Sequence, residues 1–161
     1  MLPDYFEFSL PTRVIYGIGV IDQSSEAVAP WGQRRALLVT DAVLVQAGLA
    51  ERVKAGFRKT AVEIVCVYDQ VPPNSTIRTV EDCAALGREH GCDLIVGLGG
   101  GSVLDTAKVA NILMVKGGRV QEHMGAYLLG QTKLLPLVLI PTTAGTGSEA
   151  TKVAVIADPE H

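Results

Sequence analysis

Four short, nearly continuous apolar runs, at residues 36–40, 62–68, 94–98 and 137–140, constrain this chain more than anything else in it. A strand that does not alternate apolar with polar residues has no face to give to water, so both of its faces must be covered. The runs are spaced by helical patterns. Residues 43–59 place Ala, Leu, Val and Phe on a repeating face, and Pro72-Pro73-Asn74-Ser75 makes a turn from which Ser75 can cap a helix running to His90. Gly91 closes that helix, and a third, over 102–115, is stopped by Gly117-Gly118. Strands alternating with helices predict an α/β domain with a parallel sheet and helices on both faces. Weaker patterns predict a first strand at 12–16, a helix at 18–29 ended near Pro30 and Gly32, and a last strand at 152–156.

Composition agrees and narrows the function. Hydrophobic residues make up 48% of 161 residues, which excludes a disordered chain, and only 5% are aromatic, so the core is aliphatic. The length suits one domain. With a net charge of -3 the chain lacks the basic excess of a nucleic-acid binder. The longest apolar run, 134–140, is interrupted by Pro136 and falls far short of the roughly 18 residues of a membrane span. The first residues, Met1-Leu2-Pro3-Asp4, show no signal core, so a cytoplasmic protein without membrane contact is expected. Cys66, Cys83 and Cys92 form no CxxC pair and leave one unpaired in any disulfide scheme. They read as small buried hydrophobes in a reducing compartment, the other reading being a redox or metal thiol.

In a parallel sheet, ligands sit outside the carboxyl ends of the strands, so the loops after Leu98, Ile140 and Thr40 matter most. The first is Gly97-Leu98-Gly99-Gly100-Gly101-Ser102, where glycines let backbone N–H groups converge at a helix N-terminus, as a pyrophosphate requires. A tight strand-to-helix turn would read the same way. No Lys follows the glycines, so this is not a Walker loop. Asp105 and Lys108 are isolated polar residues in the apolar helix that follows, either an i,i+3 ion pair or, for Asp105, a group facing the crevice. The second loop, Pro141-Thr142-Thr143-Ala144-Gly145-Thr146-Gly147-Ser148-Glu149, is mostly Thr, Gly and Ser, which suits adenine, ribose or carboxamide, or a flexible surface loop. Asp41, after the run ending at Thr40, can accept hydrogen bonds from a ribose diol and would repel a 2′-phosphate. It can equally cap the next helix.

Together these residues resemble the iron-containing (group III) alcohol dehydrogenases. Gly99-Gly100-Gly101-Ser102-Val103-Leu104-Asp105-Thr106-Ala107-Lys108 and the loop at 141–149 look like that family's two signature loops. Leu10-Pro11-Thr12, Tyr16-Gly17-Ile18-Gly19 and Asp41 add to the likeness. Ser75 and Val103 stand where the family often has Pro. The resemblance implies a Rossmann-like, dehydroquinate synthase-like N-terminal domain spanning 1–161 that binds NAD. It places Gly100, Gly101 and Ser102 at the pyrophosphate, Asp41 at the adenosine ribose and Thr142 and Thr143 at the adenine side. Thr146, Ser148 and Asp105 fall at the nicotinamide side, with Asn74 near the cleft.

The family's metal, Fe2+ or Zn2+, is held by one Asp and three His in a helical domain that follows. His90, His123 and His161 have no such spacing; His90 reads as a helix cap and His123 as a surface residue. The chain is therefore expected to be the cofactor-binding half of an NAD-dependent dehydrogenase acting on a small alcohol or aldehyde. It is expected to be inactive alone and to form a homodimer or higher oligomer. A stand-alone nucleotide-binding module and a glycerol dehydrogenase-like relative are the other readings.

Overall fold

The computed structural model of the protein describes residues 12–23, 27–58, 61–125 and 132–158. Four strands, β1 (Arg35–Val39), β2 (Glu63–Tyr68), β3 (Leu94–Gly99) and β4 (Leu137–Pro141), form one sheet in the order β2-β1-β3-β4. All three pairings are parallel. Among the described residues they are accompanied by the helices α1 (Ala42–Gln46), α2 (Leu49–Phe57), α3 (Ile77–Glu89) and α4 (Gly101–Lys116).

Strands apolar on both sides feed two cores. Leu37, Val39 and Ile95 point toward Val80, Cys83 and Ala84 of α3 and Val103, Ala107 and Leu113 of α4. Ala36, Leu38, Leu94, Val96 and Leu98 point the other way, against Ala50, Val53 and Phe57 of α2 and against Val28. The sheet is thus covered on both faces, as expected. α4 lies closest to it. A Cβ at Gly97 would come within 3.0 Å of the Leu139 side chain and 3.2 Å of Ala107, so glycine there lets α4 pack close to the sheet without crowding it.

Several boundaries differ from expectation, each for a local reason. The helix foreseen at 43–59 is split, because Gly48 adopts φ 79 and turns the chain between α1 and α2; Lys59 lies outside the described residues. Thr76, not Ser75, caps α3, its hydroxyl accepting from the Thr79 N–H at 3.3 Å. Ser75 is buried and held 2.6 Å from the Thr106 hydroxyl on α4. Residues 12–16 form no strand, and Val14, Ile15 and Tyr16 are exposed. Within 18–29 the described residues include the 3-10 turn Val20–Gln23, and another turn spans Ala29–Trp31. Residues 152–156 form no strand either; a single parallel bridge joins Thr76 to Ala157.

His90 ends α3 as foreseen, its Nδ1 lying 3.0 Å from the Leu86 carbonyl. His123 is half-buried rather than a surface residue, because its Nε2 meets the Gly117 carbonyl at 2.8 Å. His161 lies outside the described residues. Asn111, buried on α4, makes two bonds to one residue: its amide donates to the Leu135 carbonyl at 2.8 Å and accepts from the Leu135 N–H at 3.0 Å. Leu135 lies just before β4.

Candidate functional site

The strand order itself locates a crevice. From β1 the chain moves to β2 on one side, while β3 lies on the other, so the loops leaving β1 and β3 diverge at the carboxyl edge. Those loops carry Asp41 and the glycine turn. Val39 pairs with Gly97, and the buried Thr40 hydroxyl donates to the Leu98 carbonyl at 2.9 Å, locking the two strand ends together. Asp41 caps α1 by accepting from the Leu44 N–H at 2.9 Å. That engages one carboxylate oxygen.

The glycine turn is short and firmly held. β3 is buried throughout its length, Gly100 is the N-cap of α4, and the helix begins at Gly101. The first N–H groups of a helix have no partner within it and form the positive end of its dipole. Asn74 reaches the turn from the β2–α3 loop, its N–H donating to Ser102 Oγ at 3.2 Å while its backbone adopts φ 57. Asn is among the few side chains that tolerate this left-handed conformation.

The hydroxyl-rich loop lies over this turn. The Thr142 N–H donates to the Gly99 carbonyl at 3.0 Å, extending the β3–β4 ladder by one bond. A Cβ at Gly100 would fall 3.0 Å from Thr143 Oγ1, and one at Gly101 would fall 3.3 Å from Ser148 Oγ and 3.5 Å from the Thr146 side chain. Glycine leaves the two loops room to meet, with the tighter contact at Gly100. Ser148 is buried, and its N–H donates to Thr146 Oγ1 at 3.4 Å. One carboxylate oxygen of Glu149 is sealed from solvent with no hydrogen-bond partner among the described residues. Such an orphan acceptor is commonly satisfied by a ligand or an ordered water.

Asp105 and Lys108 act on the chain beyond that loop. Lys108 Nζ lies 2.8 Å from Asp105 Oδ1, both side chains being largely buried. The other oxygen of Asp105 accepts from the Val155 N–H at 2.9 Å, and Lys108 donates to the carbonyls of Thr151 and Val153. The ion pair therefore pins residues 151–155 to α4. Its two members hold backbone groups that a strand at 152–156 would have placed in a ladder.

The fold thus brings Asn74, Gly100, Gly101, Ser102, Thr143, Thr146 and Ser148 into one neighbourhood. Thr142 borders it through its backbone, with its side chain exposed, and Asp41 stands at the neighbouring strand end. Asp105 sits one turn into α4, occupied by Lys108 and Val155. Sequence reasoning took Ser75 only as a helix cap and gave Thr106 and Thr40 no role, yet their buried hydroxyls tie the crevice loops to the sheet and to α4. It also missed Asn111, whose signal was a lone amide inside an apolar helical run. At the end of β2, burial pushes the Tyr68 phenol up to about 12, helped by Cys83, Asp82 and Asp69.

A parallel sheet with a glycine turn at its switch point and a hydroxyl-rich loop above it defines a dinucleotide-binding class of α/β domain. Comparison with known proteins makes this specific. The family model for iron-containing alcohol dehydrogenase matches residues 11–161, and the chain belongs to that family. It is 38% identical over 159 residues to the choline dehydrogenase of Bacillus subtilis strain 168, covering 98% of this chain and 39% of that protein. The NAD-dependent methanol dehydrogenase of Bacillus methanolicus is 34% identical over 151 residues, covering 94% of this chain and 39% of the relative. Among solved structures, sulfoacetaldehyde reductase from Bifidobacterium kashiwanohense, in complex with NAD+, superposes with a TM-score of 0.86 at 28% identity. That match covers 98% of this chain and 41% of the reductase. The chain thus spans about two-fifths of the length of the curated relatives it matches. No helix among the described residues is long and apolar enough to cross a membrane.

Proposed function

We propose that this chain is the NAD-binding domain of a dehydrogenase that moves hydride between a small alcohol or aldehyde and the nicotinamide. The observation that carries the reading is the meeting of two loops at the switch point: Gly100 and Gly101 lie against Thr143, Thr146 and Ser148, most tightly at Gly100, where a Cβ would fall 3.0 Å from Thr143 Oγ1. Residues 1–161 are proposed as one cofactor-binding domain.

The residues present fit a dinucleotide. Unpartnered N–H groups at the start of α4 suit a pyrophosphate, so Gly100, Gly101 and Ser102 would hold it. Asp41 keeps one carboxylate oxygen beyond its capping bond and would accept from the adenosine ribose diol. Thr142 and Thr143 would line the adenine side, and Thr146 and Ser148 the nicotinamide side. Asp105 would act there chiefly by holding residues 151–155 in place. Asn74 would keep the Ser102 hydroxyl oriented through its N–H. Bound NAD supplies the hydride acceptor; these residues bind it, orient it and shield it from water.

A metal fits less well on this chain. Among the described residues no three His, Cys, Asp or Glu side chains lie together as a cation would need, so no step is assigned to iron or zinc. The 161-residue chain is therefore expected to bind NAD without oxidising alcohols, whether or not either metal is added. Metal-dependent turnover by the purified chain would overturn that expectation. Exposed Val14, Tyr16 and Ile18 support assembly into a homodimer or higher oligomer, and a cytoplasmic location is proposed with it. The direct test is calorimetric titration with NAD. Saturable binding that is lost in Gly101→Asp, with the variant's circular dichroism unchanged, supports the reading; no saturable heat at millimolar NAD refutes it.

A further inference from the structure

The three cysteines share one core cluster, yet they are not equivalent. Cys83 on α3 is completely sealed, whereas Cys66 and Cys92 each keep 9% of their surface accessible. Those two also touch, with their sulfurs 3.6 Å apart and both thiols free. Cys66 is on β2, an edge strand of the sheet, and Cys92 lies in the turn between α3 and β3. Arg35, at the amino end of β1, is hydrogen-bonded within that same turn, its Nε donating to the His90 carbonyl at 2.9 Å. Cys92 therefore sits at the amino ends of the strands and Cys66 in mid-strand beside Leu37, with the crevice at the opposite, carboxyl ends.

We infer that Cys66 and Cys92 are a peroxide-reactive dithiol that closes to an intramolecular disulfide, tying β2 to the entrance of β3. A disulfide has sulfurs about 2 Å apart, so closure needs a shift of about 1.5 Å, within reach of small side-chain rotations. The two thiols share one hydrogen bond in which either sulfur can donate, and the nearby Arg35 guanidinium favours a thiolate in the pair. Cys92 attacks first, its thiol being lowered by the Cys66 contact and Arg35 against burial. The Cys92 thiolate attacks one peroxide oxygen, the O–O bond breaks, and the sulfur becomes a sulfenic acid as the leaving oxygen departs, taking up a proton. Cys66 then attacks the sulfenic sulfur, forming the S–S bond and releasing water. In sum, two thiols and one hydrogen peroxide give one disulfide and two waters, with two electrons passing from sulfur to oxygen.

The bond would enclose the whole β2–α3–β3 crossover, including Asn74, Ser75 and Thr76. Closing a loop of this length restricts the unfolded chain, so oxidised protein is expected to melt roughly 5 °C or more above reduced protein.

Peptide mapping of the full chain tests this directly, because trypsin places each cysteine on its own peptide: residues 60–78, 79–88 and 89–108. After hydrogen peroxide treatment and alkylation of remaining thiols in denaturant, peptide 60–78 should be joined to 89–108. Peptide 79–88 should be alkylated, the protein monomeric on non-reducing gels, and the link reversed by dithiothreitol. Cys66→Ser should leave Cys92 carrying one or two added oxygens, and Cys83→Ala should leave the yield of linked peptide unchanged. The wild-type map decides the matter even where a variant folds poorly. Linkage through Cys83, bonding between chains, oxygen addition to wild-type Cys92 without linkage, or unreacted thiols at peroxide doses that oxidise the unfolded chain would each overturn it.

Discussion

The glycine turn and the strap at 141–158 meet over the same crevice, but different forces hold them. The turn joins β3, buried along its length, to α4, with buried residues from Val103 to Leu113, so its place is set by packing on both sides. Residues 141–146 and 151–153 of the strap are exposed, and the strap is held mainly by polar bonds: the Thr142 N–H to Gly99, Lys108 to two carbonyls, Asp105 to the Val155 N–H, and Ala157 to Ser75 and Ile77, with only Ala154 and Ile156 packed against the core. Packing is given up only when the core opens, whereas a few hydrogen bonds can open locally at much smaller cost. The half of the site suited to phosphate is thus rigid before any ligand arrives. The half suited to enclosing a ligand can adjust.

The largest effect should come from cutting the strap's main anchor. Lys108→Met leaves Asp105 charged and largely buried without its partner, an expected loss of about 3 kcal/mol in urea unfolding. Hydrogen exchange should show the Val155 amide losing more protection than the amides of α4. A loss below about 0.5 kcal/mol would mean the pair is not what holds the strap. The turn should break next. A Cβ at Gly99 would fall 2.6 Å from the Val103 side chain, so Gly99→Ala should cost about 1–3 kcal/mol by overpacking and depress the whole melting curve. A variant as stable as the parent would show the turn to be as adjustable as the strap.

Smaller effects separate binding from folding. Asp41→Ser keeps a capping oxygen and so most of the stability, but it should narrow the preference for NAD over NADP about tenfold (~1.4 kcal/mol). Equal affinities of the parent for both dinucleotides would make Asp41 a helix cap only. Gly101→Ala is the gentlest probe, because its contacts at 3.3 and 3.5 Å can be absorbed and alanine favours helix. Stability should stay within about 0.5 kcal/mol while exchange at 146–148 quickens. Unchanged exchange there would sever the two loops from each other.

The sheet was legible in the sequence because four apolar runs with no solvent face have few other uses. The glycine turn and the hydroxyl-rich loop were legible because their composition is wasteful in any ordinary connection. What was not legible depended on backbone partners. Val153 and Val155 alternate as a strand would, yet both are exposed, since the segment's hydrogen bonds go to side chains on α4. The one-residue difference between Ser75 and Thr76 as the cap of α3 turns on Thr106, distant in sequence, holding Ser75. Gly48 was visible as a breaker, but the helical periodicity ran straight through it. Asp105 offered two readings, and its bonds to Lys108 and Val155 are now explicit.

The Asn111 clamp solves a problem that the sheet's own chemistry creates. β4 and its approach read Leu-Leu-Pro-Leu-Val-Leu-Ile, with apolar side chains available to both faces. Alternation normally penalises a strand that slips by one residue, because polar groups would then enter the core; here a slip would exchange one aliphatic set for another at little cost. Asn111 removes the ambiguity by recognising Leu135 through both of its backbone groups, as a neighbouring strand would. The amide works as an alignment mark. It sets the phase in which β4 pairs with β3, and hence the point at which the chain leaves the sheet to place Thr143, Thr146 and Ser148 over the glycines.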